Sequence, residues 1–512
     1  MHFARVFGAQ PALPKAHIVT VETDMTKGLH AFVIVGLPDK SVTEARDRIA
    51  SAIKNTETDG EPFKSPKSMN KKIVVSLAPA ELKKEGAVFD VPAALSYLLA
   101  SKQIKFEPRG KLFAGELTLD GKLRPIRGAL SIAKAAKEEG FKEIYIPAEN
   151  ASEASLVSEI AIFPIGDLAQ LVRHLSGESS IKKYTAGRSE NVPHVDFETA
   201  IDDIRGQESA KRALEIATAG RHNIALYGPP GTGKTMLARA AAALLPELSE
   251  DEAIEVTTIH SLAGTLSSAS ITHAPFRSPH HTSSYAAIIG GGTVPRPGEV
   301  TLAHRGVLFL DEFPEFHRDV VNALREPLED KVVSVARAKS SAVFPANFML
   351  IAALNPCPCG FWGTDRCECM PHLVEKYRRK ISGPIADRID MWITVPEIPH
   401  EMLSSKAKRS LGETRAARER IEKARAAQNK RFSAVTTLTT NADMRAKDIE
   451  KLAGLSDKAE ATLLEAAKRM KLSPRGYHRT IKLARTIADL AGDEGIEPPH
   501  MLEALQYRAR EF

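Results

Sequence analysis

The sequence predicts an α/β protein in which two successive strand-and-helix blocks lead into an α-helical third block. Three observations carry that prediction. The apolar runs "NIALYG", "GVLFLDE" and "FMLIAALNP" are short and bounded by turn residues, as buried parallel strands are. Earlier in the chain, the runs "HIVTVET", "AFVIVGL", "KKIVVSLAPA" and "KEIYIPA" alternate with helical stretches at 41–54, 90–102 and 128–140. From about residue 397 no convincing strand pattern remains, and the segment is charged and helical.

Those patterns divide the 512 residues into an N-terminal α+β domain over 1–178, a linker over 179–198, a parallel-sheet core over 199–396 and a helical domain over 397–512. The linker is expected because "SGESSIKKYTAGRSENVPH" is polar and contains Gly and Ser. Composition is ordinary for a soluble chain, with 43% hydrophobic and 26% charged residues, and a formal charge of +6. That charge permits nucleic-acid binding without arguing strongly for it. The first residues lack a charged region followed by an apolar run, and no run reaches the length of a membrane span. A cytoplasmic protein without membrane contact is expected.

The segment "GPPGTGKT" supplies the strongest chemical signal. Gly228, Pro229, Pro230, Gly231, Thr232, Gly233, Lys234 and Thr235 fit the phosphate-binding pattern G-x-x-x-x-G-K-[ST], between the strand "NIALY" and the helix "MLARAAAALL". Glycines let successive backbone N–H groups face phosphate, Lys234 is expected to reach the β- and γ-phosphates, and Thr235 to ligate Mg²⁺. Asp311 and Glu312 follow the run "GVLFL", at the strand end where open α/β sheets bind ligands. Asp311 is expected to hold Mg²⁺ and Glu312 to polarise the attacking water. Asn355 ends the next apolar run and can orient that water or contact the γ-phosphate, a plain turn residue being the alternative. Arg388, in "KISGPIADRIDMWITV", can serve as an arginine finger on a neighbouring subunit's ATP, or form a salt bridge within its own subunit. In "LSPRGYHRTIKLARTIADLAG", Pro474 suits a first helical turn, and Arg475 and Arg479 lie on one face; one of them could fold over the nucleotide.

These residues resemble the AAA+ ATPases, and within them the magnesium-chelatase-like branch called the YifB or ComM family. The segments "DIRGQESAKRALEIATAGRHNIALYGPPGTGKTMLARA", "PFRSPHH", "PRPGEVTLAHRGVLFLDE", "RIDM" and "LSPRGYHRTIKLARTIADL" carry the resemblance over nearly the whole chain. It implies a P-loop AAA+ core with Walker A at Gly228–Thr235, Walker B at Asp311–Glu312, sensor 1 at Asn355, the finger at Arg388 and sensor 2 at Arg475, beneath a C-terminal helical lid. The stretches 332–348 and 261–292 resemble the hairpin before sensor 1 and the helix-2 insert of this branch, which typically line a ring's pore. Arg337 and Lys339 at the hairpin tip would then face a threaded polyanion, or else are solvated loop charges.

The first block resembles the Lon-protease fold at "FAGELTLDGKLRPIRGA" and "FKEIYIPAEN". Lon enzymes need a serine nucleophile and an activating lysine. Val88 and Phe89 stand where the serine is required, Ala129 and Leu130 where the lysine is, and Ser96 and Lys134 are displaced from both places. A non-proteolytic domain is therefore expected, a scaffold or a DNA-binding surface. Lys64, Lys67, Lys71 and Lys72 could touch phosphates or simply form a solvated loop.

What the resemblance implies is a homo-hexameric motor that hydrolyses ATP with Mg²⁺ and moves single-stranded or branched DNA, a recombinase being a candidate partner. ComM-like members promote branch migration in natural transformation. The alternative is a chelatase-type motor driving metal insertion with partner proteins; a protease is undercut by the missing pair.

All four cysteines, Cys357, Cys359, Cys367 and Cys369, fall directly after Asn355. Two C-x-C pairs around a loop containing Gly360 and Gly363 can close on one structural Zn²⁺, with His372 as a substitute ligand. Reversible disulfides or free thiols are the alternatives.

Overall fold

The computed structural model describes residues 3–508 apart from 14, 38, 59, 186–199, 293–294, 338–339, 382, 400–411 and 436–437, with backbone only at 40–41, 336–337 and 340–341. The chain divides into two compact units, residues 1–192 with 253–271, and residues 193–252 with 272–512. The mixed α/β architecture expected from the sequence is the one observed.

In the first unit, four strands form a sheet in the order Phe3–Gln10, His17–Lys27, Lys71–Ala78, Ala31–Val35. The first three pair antiparallel and the last is parallel to its neighbour. Alternate side chains of the second strand, Val19, Val21, Thr23 and Met25, are buried, as a strand packed on one face requires. A second, parallel sheet joins Lys111–Phe113, Glu143–Pro147 and Ala161–Ile165. Tyr145 stacks between Phe113 and Phe163 at ring-centroid distances of 5.0 and 4.9 Å, which ties its three strands together.

The positions where a protease would carry its catalytic pair are core. Val88 and Phe89 form a buried turn, and Ala129 and Leu130 begin the helix Ala129–Glu138 with both side chains inside. Ser96 is fully buried, 2.6 Å from the Thr23 hydroxyl and donating to the Ala93 carbonyl, while Lys134 is exposed. Lys64, Lys67 and Lys72 are exposed, and Lys67 is paired with Asp47 at 2.7 Å.

Residues 253–271 belong to this unit although they lie within the stretch that the sequence assigns to the ATPase core. The Gly128 N–H donates to the hydroxyl and the carbonyl of Ser261, and Ile254 packs on the core of the unit. The start of the linker also stays here: Ile181 N–H donates to His174 Nδ1 and Tyr184 N–H to the Ile162 carbonyl. Linker residues 186–198 lie outside the described residues.

The second unit is built on a five-stranded parallel sheet in the order Phe276–Arg277, Val307–Leu310, Met349–Leu354, Ile224–Tyr227, Met391–Thr394. The Val307–Leu310 and Met349–Leu354 strands are buried at every residue, so neither face is left for polar side chains. Function is thereby pushed to the residues that follow each strand. An antiparallel hairpin, Val332–Arg337 with Ser340–Pro345, precedes the Met349–Leu354 strand. Of the predicted pore cations, Arg337 ends the first strand of the hairpin and is described by its backbone only, and Lys339 lies outside the described residues.

Helices Glu413–Phe432, Asp457–Met470, Pro474–Ala491 and Pro498–Gln506 make up most of the C-terminal part of this unit. The Pro474–Ala491 helix starts where the sequence predicts. Ser473 accepts from the Gly476 N–H at 3.1 Å, Pro474 occupies the first turn, and Gly492 closes the helix in the left-handed region. A serine cap of this kind contributes about 1 kcal/mol. Among the described residues, no helix is long and apolar enough to cross a membrane.

Candidate nucleotide site

The loop after the strand Ile224–Tyr227 is shaped by glycines at three places. A side chain on Gly228 would lie 2.2 Å from the Val395 carbonyl oxygen, because the neighbouring strand runs on directly beside it. Gly231 and Gly233 adopt φ values of 78° and 85°, the left-handed region that other residues enter at a cost. Nothing lies within 4 Å of where their side chains would point. The loop rim therefore offers backbone to an incoming anion, with the helix Lys234–Leu244 starting immediately behind it.

Lys234 is buried, and all three of its donors are engaged. Its Nζ donates to the Gly228 carbonyl at 2.7 Å, to the Pro229 carbonyl at 2.8 Å and to Asn355 Oδ1 at 3.1 Å. Burial pulls its pKa down to about 8, against the opposing pull of Asp311 and Glu312. Thr235 Oγ1 donates to Asp311 Oδ2 at 3.0 Å, so the predicted Mg²⁺ pair is in contact. Asp311 Oδ1 accepts from the Glu312 N–H at 2.9 Å. Glu312 itself takes φ 50°, a left-handed conformation that costs a non-glycine residue about 1 kcal/mol or more.

The structure thus brings Lys234, Thr235, Asp311, Glu312 and Asn355 together at the C-terminal ends of three parallel strands. A loop rim of backbone N–H groups, one ammonium and a hydroxyl–carboxylate pair fits a triphosphate with a hard divalent cation. His281 was not singled out by sequence reasoning: its Nδ1 lies 3.3 Å from Glu312 Oε2. The signal was present in "PFRSPHH", whose first residues form the Phe276–Arg277 edge strand of the same sheet.

Arg388 and Arg475 do not join Lys234. Both end on Glu329: Arg388 Nη2 pairs with Oε2, and Arg475 Nη2 donates to Oε1 at 2.8 Å. The salt bridge of Arg388 therefore reaches Glu329 rather than the adjacent Asp387 or Asp390. Arg479 is occupied elsewhere, 3.2 Å from Asp390.

The cysteines cluster as the spacing predicts, and all four Sγ atoms lie within 4.8 Å of one another. Cys357 Sγ is 3.3 Å from that of Cys359 and 3.9 Å from that of Cys367, and Cys359 to Cys367 is 3.7 Å. Four thiolates about 2.3 Å from one zinc in a tetrahedron stand roughly 3.8 Å apart, so the set fits that ion. His372 is not among the clustered ligands. The same loop touches the phosphate loop: Gly360, at φ 88°, approaches Pro230 so closely that a side chain on it would lie 2.5 Å from Pro230 Cδ.

A parallel sheet of this order, with these residues at its strand ends, defines a P-loop ATPase of the AAA+ class. Sequence comparison narrows the class. Family models described as magnesium chelatase subunit ChlI, subunit ChlI of Mg-chelatase and magnesium chelatase subunit ChlI C-terminal match residues 200–403, 21–150 and 412–508. The chain is 42% identical to the competence protein ComM of Haemophilus influenzae over 99% of its own length and 98% of that protein. It is 39% identical to YifB of Escherichia coli over 96% and 94%. A partial match, 30% identity over 37% of the chain, links it to Lon protease 2 of Bacillus subtilis. The chain belongs to the ComM/YifB family of magnesium-chelatase-like AAA+ ATPases.

Proposed function

We propose that the protein is an ATP-driven ring motor acting on DNA, a ComM-like branch-migration helicase serving transformation or recombination. The observation that carries the reading is the convergence of Lys234, Thr235, Asp311, Glu312 and Asn355, in a chain that matches ComM end to end. ATP binding would draw the Lys234 ammonium from the Gly228 and Pro229 carbonyls onto phosphate while Asn355 stays beside it. Thr235 and Asp311 would hold Mg²⁺, which supplies charge neutralisation on the phosphates. Glu312, restrained by His281, would take the proton of the attacking water. Arg388 would act on the nucleotide of a neighbouring copy in a homo-hexamer, with the 332–345 hairpin in the pore and Arg337 and Lys339 on the DNA backbone. A recombinase is the kind of partner that would deliver such DNA, and the cytoplasm is where it would be met.

The four thiolates would hold one structural Zn²⁺ with no open position. Metal content on fresh, unchelated protein tests this; well below one zinc per chain contradicts it. The test of the motor is a branch-migration assay on a four-stranded DNA junction. ATP-dependent strand exchange that disappears in Lys234→Ala is expected. A second reading, a chelatase motor, draws on the description shared by all three family models. ATPase activity indifferent to DNA but raised by porphyrin-binding partner subunits would favour it instead.

A further inference from the structure

Beside the helix Arg325–Asp330 lies a cavity of about 520 Å³ whose lining is dominated by charge. Within it, the two predicted nucleotide-sensing arginines share a single carboxylate. Arg388 comes from the turn before the strand Met391–Thr394, Arg475 from the first turn of the helix Pro474–Ala491, and both reach Glu329. Other cations of the cavity are committed to different groups: Arg479 to Asp390, and Lys482 to the Ala442 carbonyl.

Three properties set this pair apart from an ordinary surface salt bridge. Two guanidinium groups face one carboxylate, so the trio itself carries a net positive charge. Arg388, only 12% exposed, also keeps a buried Nε–H that has no acceptor among the described residues. Glu329 and Arg475 are 46% and 53% exposed, so an incoming group can reach both. A carboxylate presents two oxygens in one plane, the protein group closest to one edge of a phosphate. Phosphate carries a third oxygen and more charge, enough to serve both arginines and the orphan Nε–H.

We propose that Glu329 is a stand-in for the terminal phosphate of a nucleotide held by a second copy of this chain. In the isolated protomer it keeps Arg388 and Arg475 together and extended. When the second copy docks, its triphosphate takes the arginines and Glu329 is released to solvent. The Arg475–Glu329 pair is exposed and weak, the Glu329 carboxylate is open to solvent, and phosphate–guanidinium contacts are stronger than carboxylate ones. Glu329 is thus a positioning residue that restrains the arginines until a neighbour arrives. The inference rests on the reading that Arg388 acts between copies in a ring, and extends it to Arg475.

The experiment measures ATPase activity per chain against protein concentration for the full-length protein and for Glu329→Gln. Parent activity should rise with concentration as copies meet. Glu329→Gln should reach half of its maximum at a concentration lower by roughly fivefold, the scale of the ion pairing lost from the free state. Glu329→Ala, which removes the acceptor, should shift it at least as far. A merely structural glutamate would move the midpoint upward or lower the maximum. An unchanged or raised midpoint in both variants overturns the proposal. A mixture of Glu312→Gln, which keeps its arginines, with Arg388→Ala, which keeps its base, separates the two ideas. Recovered activity in the mixture with unmoved Glu329 midpoints sinks the stand-in alone. A mixture that stays inactive, with parent activity independent of concentration, sinks the ring reading and the stand-in together.

Discussion

The nucleotide loop and the arginine cavity of the second unit are two halves of one expected apparatus, and they are built differently. The loop half collects Asp311, Glu312 and Asn355 from the ends of two adjacent parallel strands, and Lys234 and Thr235 from the helix start held against them, and its polar groups already bind one another. The arginine half collects Arg388, Arg475 and Glu329 from a turn and the ends of two helices. A strand end is fixed by the ladder beside it, whereas a helix end can move with its helix. On the proposed function, nucleotide binding would be pre-organised in one copy, while the arginine charge would be supplied by elements free of the sheet.

The sharpest way to break that comparison is to damage each half alone. Arg388→Ala should lower the turnover number on the order of 10³-fold, as loss of an arginine finger does, with nucleotide affinity nearly unchanged. A loss confined to affinity would place Arg388 in the binding half. Glu312→Gln should bind ATP at parental affinity and hydrolyse it roughly 10²- to 10³-fold more slowly, read by single-turnover kinetics. Parental turnover in that variant would remove Glu312 from its role as base.

A smaller effect tests whether the cysteine loop supports the binding half. Gly360→Ala forces a side chain against Pro230 and strains a left-handed position, so nucleotide affinity should weaken roughly tenfold. Calorimetry showing parental affinity would mean that the loop merely lies beside the phosphate site.

The smallest effect is a pH dependence. Burial holds the unliganded Lys234 near 8, whereas bound phosphate favours its charged form. Nucleotide binding then takes up a proton as pH passes 8, so affinity falls with rising pH. It should be roughly fourfold weaker at pH 8.5 than at pH 7. A flat profile in calorimetry across that range would show that the free-state lysine is already fully charged.

Much of the binding half was legible in the sequence because its residues sit in contiguous motifs whose geometry is local. "GPPGTGKT" needs only its own turn, and Asp311 and Asn355 each follow an apolar run buried at every position. The cysteine cluster was legible for the same reason, since thirteen residues can close on themselves without help from elsewhere. Contacts between distant segments were not legible. His281 meets Glu312 only because the edge strand Phe276–Arg277 pairs with Val307–Leu310. Glu329, in "REPLEDK", belongs to no motif, and only the fold delivers two arginines to it. Residues 253–271 were read with the ATPase core from their place in the chain, yet the hydrogen bonds of Ser261 to Gly128 tie them to the first unit.

The claim that these parts form a DNA motor is tested most directly by ATP hydrolysis in the presence of forked or single-stranded DNA at low salt, where phosphate contacts are strongest. DNA should bind and raise hydrolysis, and Lys234→Ala should show no hydrolysis with or without it. Failure of the parent protein to bind DNA at low salt, with hydrolysis unchanged by its addition, would contradict that claim.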